Sequence, residues 1–404
     1  MEGDTRSGSP RLLVLGAGPA QLGLLEAAHE RGLWVAVVDR DPAAPGFRFA
    51  DRRCILSTED EPAIERLITA LEIDGIVSPG TDWPVGVAAR VAERTGLPHP
   101  IGPPTAVLAT NKLRQRERLG EAGVPQPRWW VIGGEDAPPE VSGPVVVKAP
   151  DRQGQKGLTL VEDSAELPAA IEQARSAARN GLALVEELVD GPEVTVVGFS
   201  VGGALQCLTI TDRVVAEPPA FGVALAHVWP SEVSDTMEVS DTVARALTAL
   251  GIRDGPSYTQ LRIGPEGPQV IEVAARLGGG HDAELVEAVT GVDLNGLAIA
   301  SAVGSEPLLT RHSVEVGGAV TRFLVAPPGV LERVDVPDDL VGVRRIRIYR
   351  EPGFVFTPLR RGADRAGAIL ATGRDRDEAL ARANAAADRI RFVTADAGSL
   401  REAI

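Results

Sequence analysis

Short apolar runs and stretches of helical period take turns over the first hundred residues. Leu12–Leu15 is an unbroken apolar run, Gln21–Glu30 repeats its apolar positions at helical spacing, and Trp34–Val38 is a second run closing on Asp39. Pro62–Leu71 predicts a further helix, Gly75–Ser78 a further strand, and Val85–Arg94, beyond Asp82, one more helix. Strands separated by helices of this length predict an open parallel sheet with helices on both faces. The proline-rich Pro98–Pro104 reads as a turn at a boundary.

Beyond it the alternation loosens. Asn111 is placed to cap a helix from Lys112 to Ala122, which Gly123, Pro125 and Pro127 stop. Val145–Lys148 is a short strand, Asp151–Gly157 a polar loop containing glycine, and Leu158–Val161 the strand leaving it. Ala165–Ala178 has helical period, and Leu182–Glu187 is a strand ending in two acids. Val194–Phe199 and Ala204–Ile210 predict an antiparallel pair turning at Gly202 and Gly203. Asp241–Leu250 is helical, Ser257–Ile263 and Gln269–Val273 form a second hairpin, and Asp282–Val289 is a helix after a glycine run. Past Ser305 strands and turns dominate until a helix over Glu378–Phe392, with Asp375 and Glu378 in capping-box spacing.

Composition narrows the class. The chain of 404 residues is 44% apolar and 24% charged, an ordinary globular balance with room for two or three domains. No apolar stretch approaches the ~18–20 residues of a membrane helix. Residues 1–10 are polar and read as a short disordered tail. Cys54 and Cys207 are too few for a disulfide framework, so a cytoplasmic protein is expected. The net charge of −15 argues against a nucleic-acid or anionic-membrane partner. An anionic small molecule would have to be held by local cations.

Those cations are conspicuous. Of 41 basic residues only Lys112, Lys148 and Lys156 are lysines, and they fall within one 45-residue window. Lysine is a compact, flexible charge suited to phosphate, whereas arginine is a rigid fork. The loop Asp151–Gly157 follows Lys148 and includes Gln155, Lys156 and Gly157, so its backbone N–H groups and Lys156 can surround phosphate oxygens. The apolar stretch Leu184–Val189 offers Glu186, Glu187, Leu188 and Val189 as a hinge against an adenine edge, with Glu193 as a later acceptor for ribose hydroxyls. Glu272 ends an apolar strand and is a sensible Mg²⁺ ligand. Arg276, four residues on, could hold a transferring phosphoryl group. Gly16–Gln21, with Asp39 on the next strand, is most of a dinucleotide fingerprint but lacks its third glycine, leaving NAD(P), another anion or a structural turn open.

In that order, Lys112, Lys148 with its glycine loop, Glu186–Glu193 and Glu272–Arg276, the chain resembles the ATP-grasp superfamily over nearly its whole length. The segment Asp364–Gly367, Ala371–Arg374 and the helix after it resemble the branch containing L-amino acid ligases and biotin carboxylase. The resemblance implies an α/β fold in three parts. These are an open parallel-sheet domain over 11–105, an ATP-grasp domain over 106–305 with a mobile lid near 125–190, and a small C-terminal α+β segment over 306–404. It implies ATP and Mg²⁺ as cofactors, with Lys112 and Lys148 on the nucleotide, Glu186–Val189 as the adenine hinge and Glu193 on the ribose. Glu272 would bridge two Mg²⁺ ions, and Arg276 would steady an acyl-phosphate. The implied activity is a carboxylate–amine ligase forming an amide on small-molecule substrates. A carboxylase or purine-pathway ligase is the second reading, and a nucleotide-binding protein of impaired turnover the third. A homodimer is the expected assembly.

Two positions depart from the family. The first metal ligand is usually an acid twelve residues before the second, where this chain has Gln260, a neutral amide that should weaken two-metal binding. The position two after Glu272, often asparagine, is Ala274. Of the histidines, His227 in the loop Phe221–Pro230 and His281 beside Arg276 are candidates to line the pocket with Arg276 as catalytic residues, while His29 and His99 read as surface or structural and His312 is given no role. The alternating Arg344–Arg350 reads as a solvated strand edge, with a dimer or substrate contact as the alternative.

Overall fold

The computed structural model describes residues 9–134, 136–233 and 235–395; the tail expected over 1–10 lies mostly outside these. Near the N-terminus four parallel strands stand in the order Arg52–Ile55, Trp34–Asp39, Arg11–Leu15, Gly75–Val77. Their side chains divide with a period of two. Leu13, Leu15, Ala36 and Val38 face the helices Glu61–Leu71 and Trp83–Thr95, whereas Leu12, Val14, Val35 and Val37 face Leu22–Glu30. Both faces are covered, which is why the strands read as unbroken apolar runs.

The second face is completed from far along the chain. Helix Leu294–Ala302, capped by the Asp293 carboxylate, packs Leu294, Leu297, Ala298 and Ile299 into the same core. This helix was not expected from sequence. It is apolar nearly all round, so it presents no amphipathic stripe. Gly75 abuts the Ala302 carbonyl so closely that a methyl group would collide with it.

Eight antiparallel strands form the central sheet, in the order Gly267–Ala274, Gly255–Gly264, Glu193–Val201, Ala204–Val215, Ala224–Trp229, Gly318–Leu324, Gly367–Gly373, Val343–Ile348. The last three belong to the C-terminal segment, so that segment extends the central sheet. Helix Arg376–Arg389 starts at Asp375, whose carboxylate accepts the Glu378 N–H. Ala379, Ala383 and Ala386, on one face, let it lie close against Val320, Ile369 and Ala371. A third sheet, Trp129–Ile132, Ala183–Glu187, Val145–Lys148, Leu158–Val161, is backed by helix Leu167–Ala177 and overhangs the central sheet's face. Among the described residues no single helix is long and apolar enough to cross a membrane.

Several local expectations change. Pro103–Thr110 is a helix, since proline is well suited to a first helical turn. Strands Arg52–Ile55 and Trp129–Ile132 are edge strands too short to show a period. Phe221–Pro230 holds the strand Ala224–Trp229 where a loop was expected. The Val343–Ile348 strand is a sheet edge, but it is not simply solvated: Arg347 is buried against Glu26 and Glu284, and Arg345 also reaches Glu26. Substituting Gly75→Ala should lower unfolding stability by ~1–3 kcal/mol through forced overpacking, read as an earlier urea midpoint at unchanged slope.

Candidate active site

A cavity of about 380 Å³ lies between the overhanging sheet, the central sheet and the C-terminal ends of the parallel strands. All three lysines border it. Helix Lys112–Glu121 starts under its Asn111 cap, as expected, and Lys112 Nζ sits 2.7 Å from Glu272 Oε1 and donates to the Arg152 carbonyl. Lys148, at the end of its strand, lies 2.6 Å from Glu186 Oε2. Lys156 is exposed on the loop between Lys148 and Leu158.

Behind Lys148 is a residue sequence reading missed. Arg116, one helical turn after Lys112 and fully buried, gives Nε to Glu186 Oε1 at 2.7 Å. Its other nitrogens donate to the carbonyls of Val270 and Ile271. Its i,i+4 relation to Lys112 was the available signal. Burial alone would raise the Glu186 pKa, but Arg116 and Lys148 outweigh it and hold the carboxyl below its ordinary range. Burial, followed by Arg116, pushes Lys148 down.

Gln260 and Glu272 are direct partners across adjacent antiparallel strands, so both side chains stand on the face that floors the cavity. Gln260 Nε2 donates to the Tyr258 hydroxyl at 3.2 Å, which leaves its oxygen free to face inward. For Glu272, burial works upward but Lys112, with Lys148 and Arg276 beyond it, brings the pKa to about 2. One ionised carboxylate and one amide suit Mg²⁺, which keeps several of its waters. Among the described residues no cluster of three or more His, Cys, Asp or Glu side chains could hold a metal by itself.

Arg276 leans toward the parallel-sheet region, its Nε and Nη2 2.6 and 2.5 Å from Asp82 Oδ1. Asp82 also receives the overhanging loop: the Gln153 carboxamide oxygen accepts its backbone N–H at 2.7 Å and that of Trp83 at 3.2 Å. Alongside, Arg179 pairs with Glu59 and lies 3.9 Å over the Trp83 ring. On the C-terminal side Gln155, at φ +62°, accepts from Gly362 N.

The opposite wall holds His227, Arg213, Arg365 and Tyr258. Arg213 and His227 are cross-strand partners. Arg213 pairs with Glu193 and donates to the Gly222 carbonyl. His227 Nδ1 lies 2.8 Å from Asp282 Oδ1 in a close but bent contact. Arg365 has backbone carbonyls as its hydrogen-bond partners and the Phe323 ring 3.7 Å beneath it, and burial lowers its pKa.

Not every expected residue reaches the cavity. Glu186 is committed to Lys148 and Arg116, and Glu193 to Arg213. The Glu187 and Leu188 N–H groups are donated to the carbonyls of Arg128 and Pro144, and Val189 is buried, so the hinge lies beyond the enclosed space. Gly157 shapes the loop instead of lining the cavity; a methyl group there would stand 2.6 Å from Ala177 Cβ. His281 does not line the pocket. It turns away at φ +60°, with Nε2 2.6 Å from the Tyr349 hydroxyl and Nδ1 3.5 Å from Glu284. The Gly16–Gln21 turn is filled by its own chain: the Gln21 carboxamide lies over Gly16 and donates to the Pro79 carbonyl, while Asp39 holds the Ala17 N–H. The dinucleotide reading loses its open turn.

Comparison with known proteins gives a consistent picture. Residues 141–284 match the ATP-grasp domain model, and 322–395 match L-amino acid ligase C-terminal domain 2. Protein y4rH of Sinorhizobium fredii is 29% identical over 378 residues, covering 88% of this chain and 77% of that protein. A formate-dependent phosphoribosylglycinamide formyltransferase of Thioalkalivibrio sulfidiphilus is 29% identical over 410 residues, covering 96% of this chain and 100% of its own. The crystal structure of an L-amino acid ligase from Bacillus licheniformis superposes with a TM-score of 0.81 at 22% identity, covering 97% of this chain and 100% of that one.

The network behind the glycine run makes a pH prediction. Burial would raise the Glu284 pKa, but His281 and Arg347 bring it from 4.5 to about 2. Such a group stabilises the fold above its unfolded pKa, and that contribution is lost as pH falls toward 2. Glu284→Gln should therefore remove ~3 kcal/mol of the acid-dependent loss of stability, read as a shallower slope of unfolding free energy between about pH 5 and 2.

Proposed function

Since the chain belongs to the ATP-grasp superfamily, we propose that it is an ATP-dependent ligase joining a small carboxylic acid to an amine through an acyl-phosphate. The observation that carries this reading is the convergence of all three lysines with Glu272, Gln260 and Arg276 on one cavity in an otherwise acidic, arginine-rich chain. Phosphoryl transfer asks for positioning and charge neutralisation more than for covalent chemistry, and these groups supply both. The C-terminal match to L-amino acid ligases favours amino acids as acid and amine.

In this reading Lys112, Lys148 and Lys156, with Gln155 of the same loop, hold the triphosphate, while Glu186–Val189 and Glu193, outside the enclosed space, would serve the nucleoside end only by giving up their present partners. Gln260 and Glu272 would hold Mg²⁺, which when bound neutralises charge on the phosphate oxygens. The substrate carboxylate attacks the γ-phosphorus, ADP leaves, and Arg276 steadies the acyl-phosphate. Amine attack on the acyl carbon then releases phosphate and leaves the amide. The overhanging sheet keeps water from the intermediate. Lys112 and Lys148 are paired to Glu272 and Glu186, so the nucleotide must draw both ammonium groups partly off these carboxylates.

Phosphate release across the amino acids, singly and in pairs, should reveal an acid that works only with ATP, with Glu272→Ala at background. Equal release by parent and Glu272→Ala on every productive pair would sink the assignment. Gln260→Glu should lower the Mg²⁺ concentration for half-maximal rate several-fold, because it restores a second negative ligand.

A further inference from the structure

Amide formation needs an amine with a free lone pair, yet amines such as amino acids arrive as ammonium ions. At the wall of His227 an arriving amine would meet one uncompensated guanidinium: Arg213 is paired with Glu193, but Arg365 has no carboxylate partner among the described residues. A cation is unwelcome there, so the proton must go to a group of the protein. The carboxylates bordering the cavity are committed, Asp82 to Arg276 and Glu272 to Lys112. Tyr258 is a neutral phenol whose pKa burial raises further, with Asp282 adding to the effect.

We propose that His227, oriented by Asp282, accepts the proton of the amine substrate. The inference rests on the ligase reading of the same cavity. Three features support it. Both His227 and Asp282 are buried, and although the 2.8 Å contact of Nδ1 with Asp282 Oδ1 is bent, a carboxylate at that distance favours the hydrogen on Nδ1 and leaves the lone pair on Nε2. Asp282 is itself fixed, since its Oδ2 accepts the Gly280 N–H at 3.0 Å and it opens the helix Asp282–Thr290. Finally, a methyl group on Gly280 would sit 3.2 Å from His227 Nε2, so glycine there keeps that nitrogen's approach clear. The Phe323 ring, edge-on at 5.9 Å between centroids, holds the imidazole plane. Among the described residues, the charged or titratable groups around it are Asp282, Arg213, Arg365 and Tyr258.

The step balances. The ammonium nitrogen gives one proton to His227 Nε2 and becomes a neutral amine. Its lone pair forms the C–N bond to the acyl carbon as the C–O bond to phosphate breaks, the bonding electrons leaving with phosphate. The second nitrogen proton goes to the departing phosphate, and the imidazolium returns its proton to solvent.

Hydroxylamine separates this role from others, because it is largely uncharged at neutral pH and traps acyl-phosphates as hydroxamates without needing a base. With the acid and amine from the screen, His227→Gln should cut amide formation by ~100-fold, the usual scale of general-base catalysis, while hydroxamate yield changes no more than about twofold. Raising the pH toward the amine's own pKa should restore amide formation in the variant. Asp282→Asn should show the same split in weaker form. Equal loss of amide and hydroxamate in His227→Gln would mean that the ring serves acyl-phosphate formation or the fold, and would overturn the proposal. So would unchanged amide formation. A parent protein that makes no hydroxamate from any acid would overturn the ligase reading itself, and this proposal with it.

Discussion

One buried carboxylate holds the site together. Glu186 stands between Lys148 and Arg116, and each belongs to a different part of the fold. Lys148 and Glu186 lie on neighbouring strands of the overhanging sheet, whereas Arg116 comes from the helix beneath and grips the carbonyls of Val270 and Ile271, just before Glu272. Burying three charges is expensive, and well-packed apolar residues would often serve stability as well. What apolar residues could not do is fix the direction of a lysine and the register of the strand that carries Glu272 at once.

A second junction sits at Asp82. Its carboxylate holds Arg276, and its backbone receives Gln153 from the loop that overhangs the cavity. The seat of that loop and the placement of the arginine therefore share one residue. Arg179, clamped to Glu59 and stacked on Trp83, braces the same corner. The parallel-sheet region thus supplies the surface on which the overhanging loop rests.

How much of this the sequence disclosed follows from its physics. Long periodic segments and capped helices, such as Lys112–Glu121 under Asn111 and the helix after Asp375, were legible because the signal is local. The lysines, Glu272 and Gln260 were legible because their residue types are rare or their spacing is specific. Helix Leu294–Ala302 was hidden by its uniform apolarity, and the Ala224–Trp229 strand by a neighbourhood rich in glycine and proline. Arg213, Arg365 and Asp82 could not be found, because in a chain rich in arginine and acids no local pattern marks which of them the fold turns toward the cavity. His281 was misplaced since its left-handed backbone turns the ring toward Tyr349. The edge strand of arginines looked wet because its acidic partners, Glu26 and Glu284, are distant in sequence.

The scarcity of lysine has a practical side. Lys148 is buried and Lys112 largely covered, each in an ion pair, so the most accessible side-chain amine is that of Lys156, on the loop over the cavity. An amine-directed dye or cross-linker would tag this protein at one side chain, and that tag would ride on the loop bordering the cavity. The molecule comes with its own attachment point at the roof of its cavity.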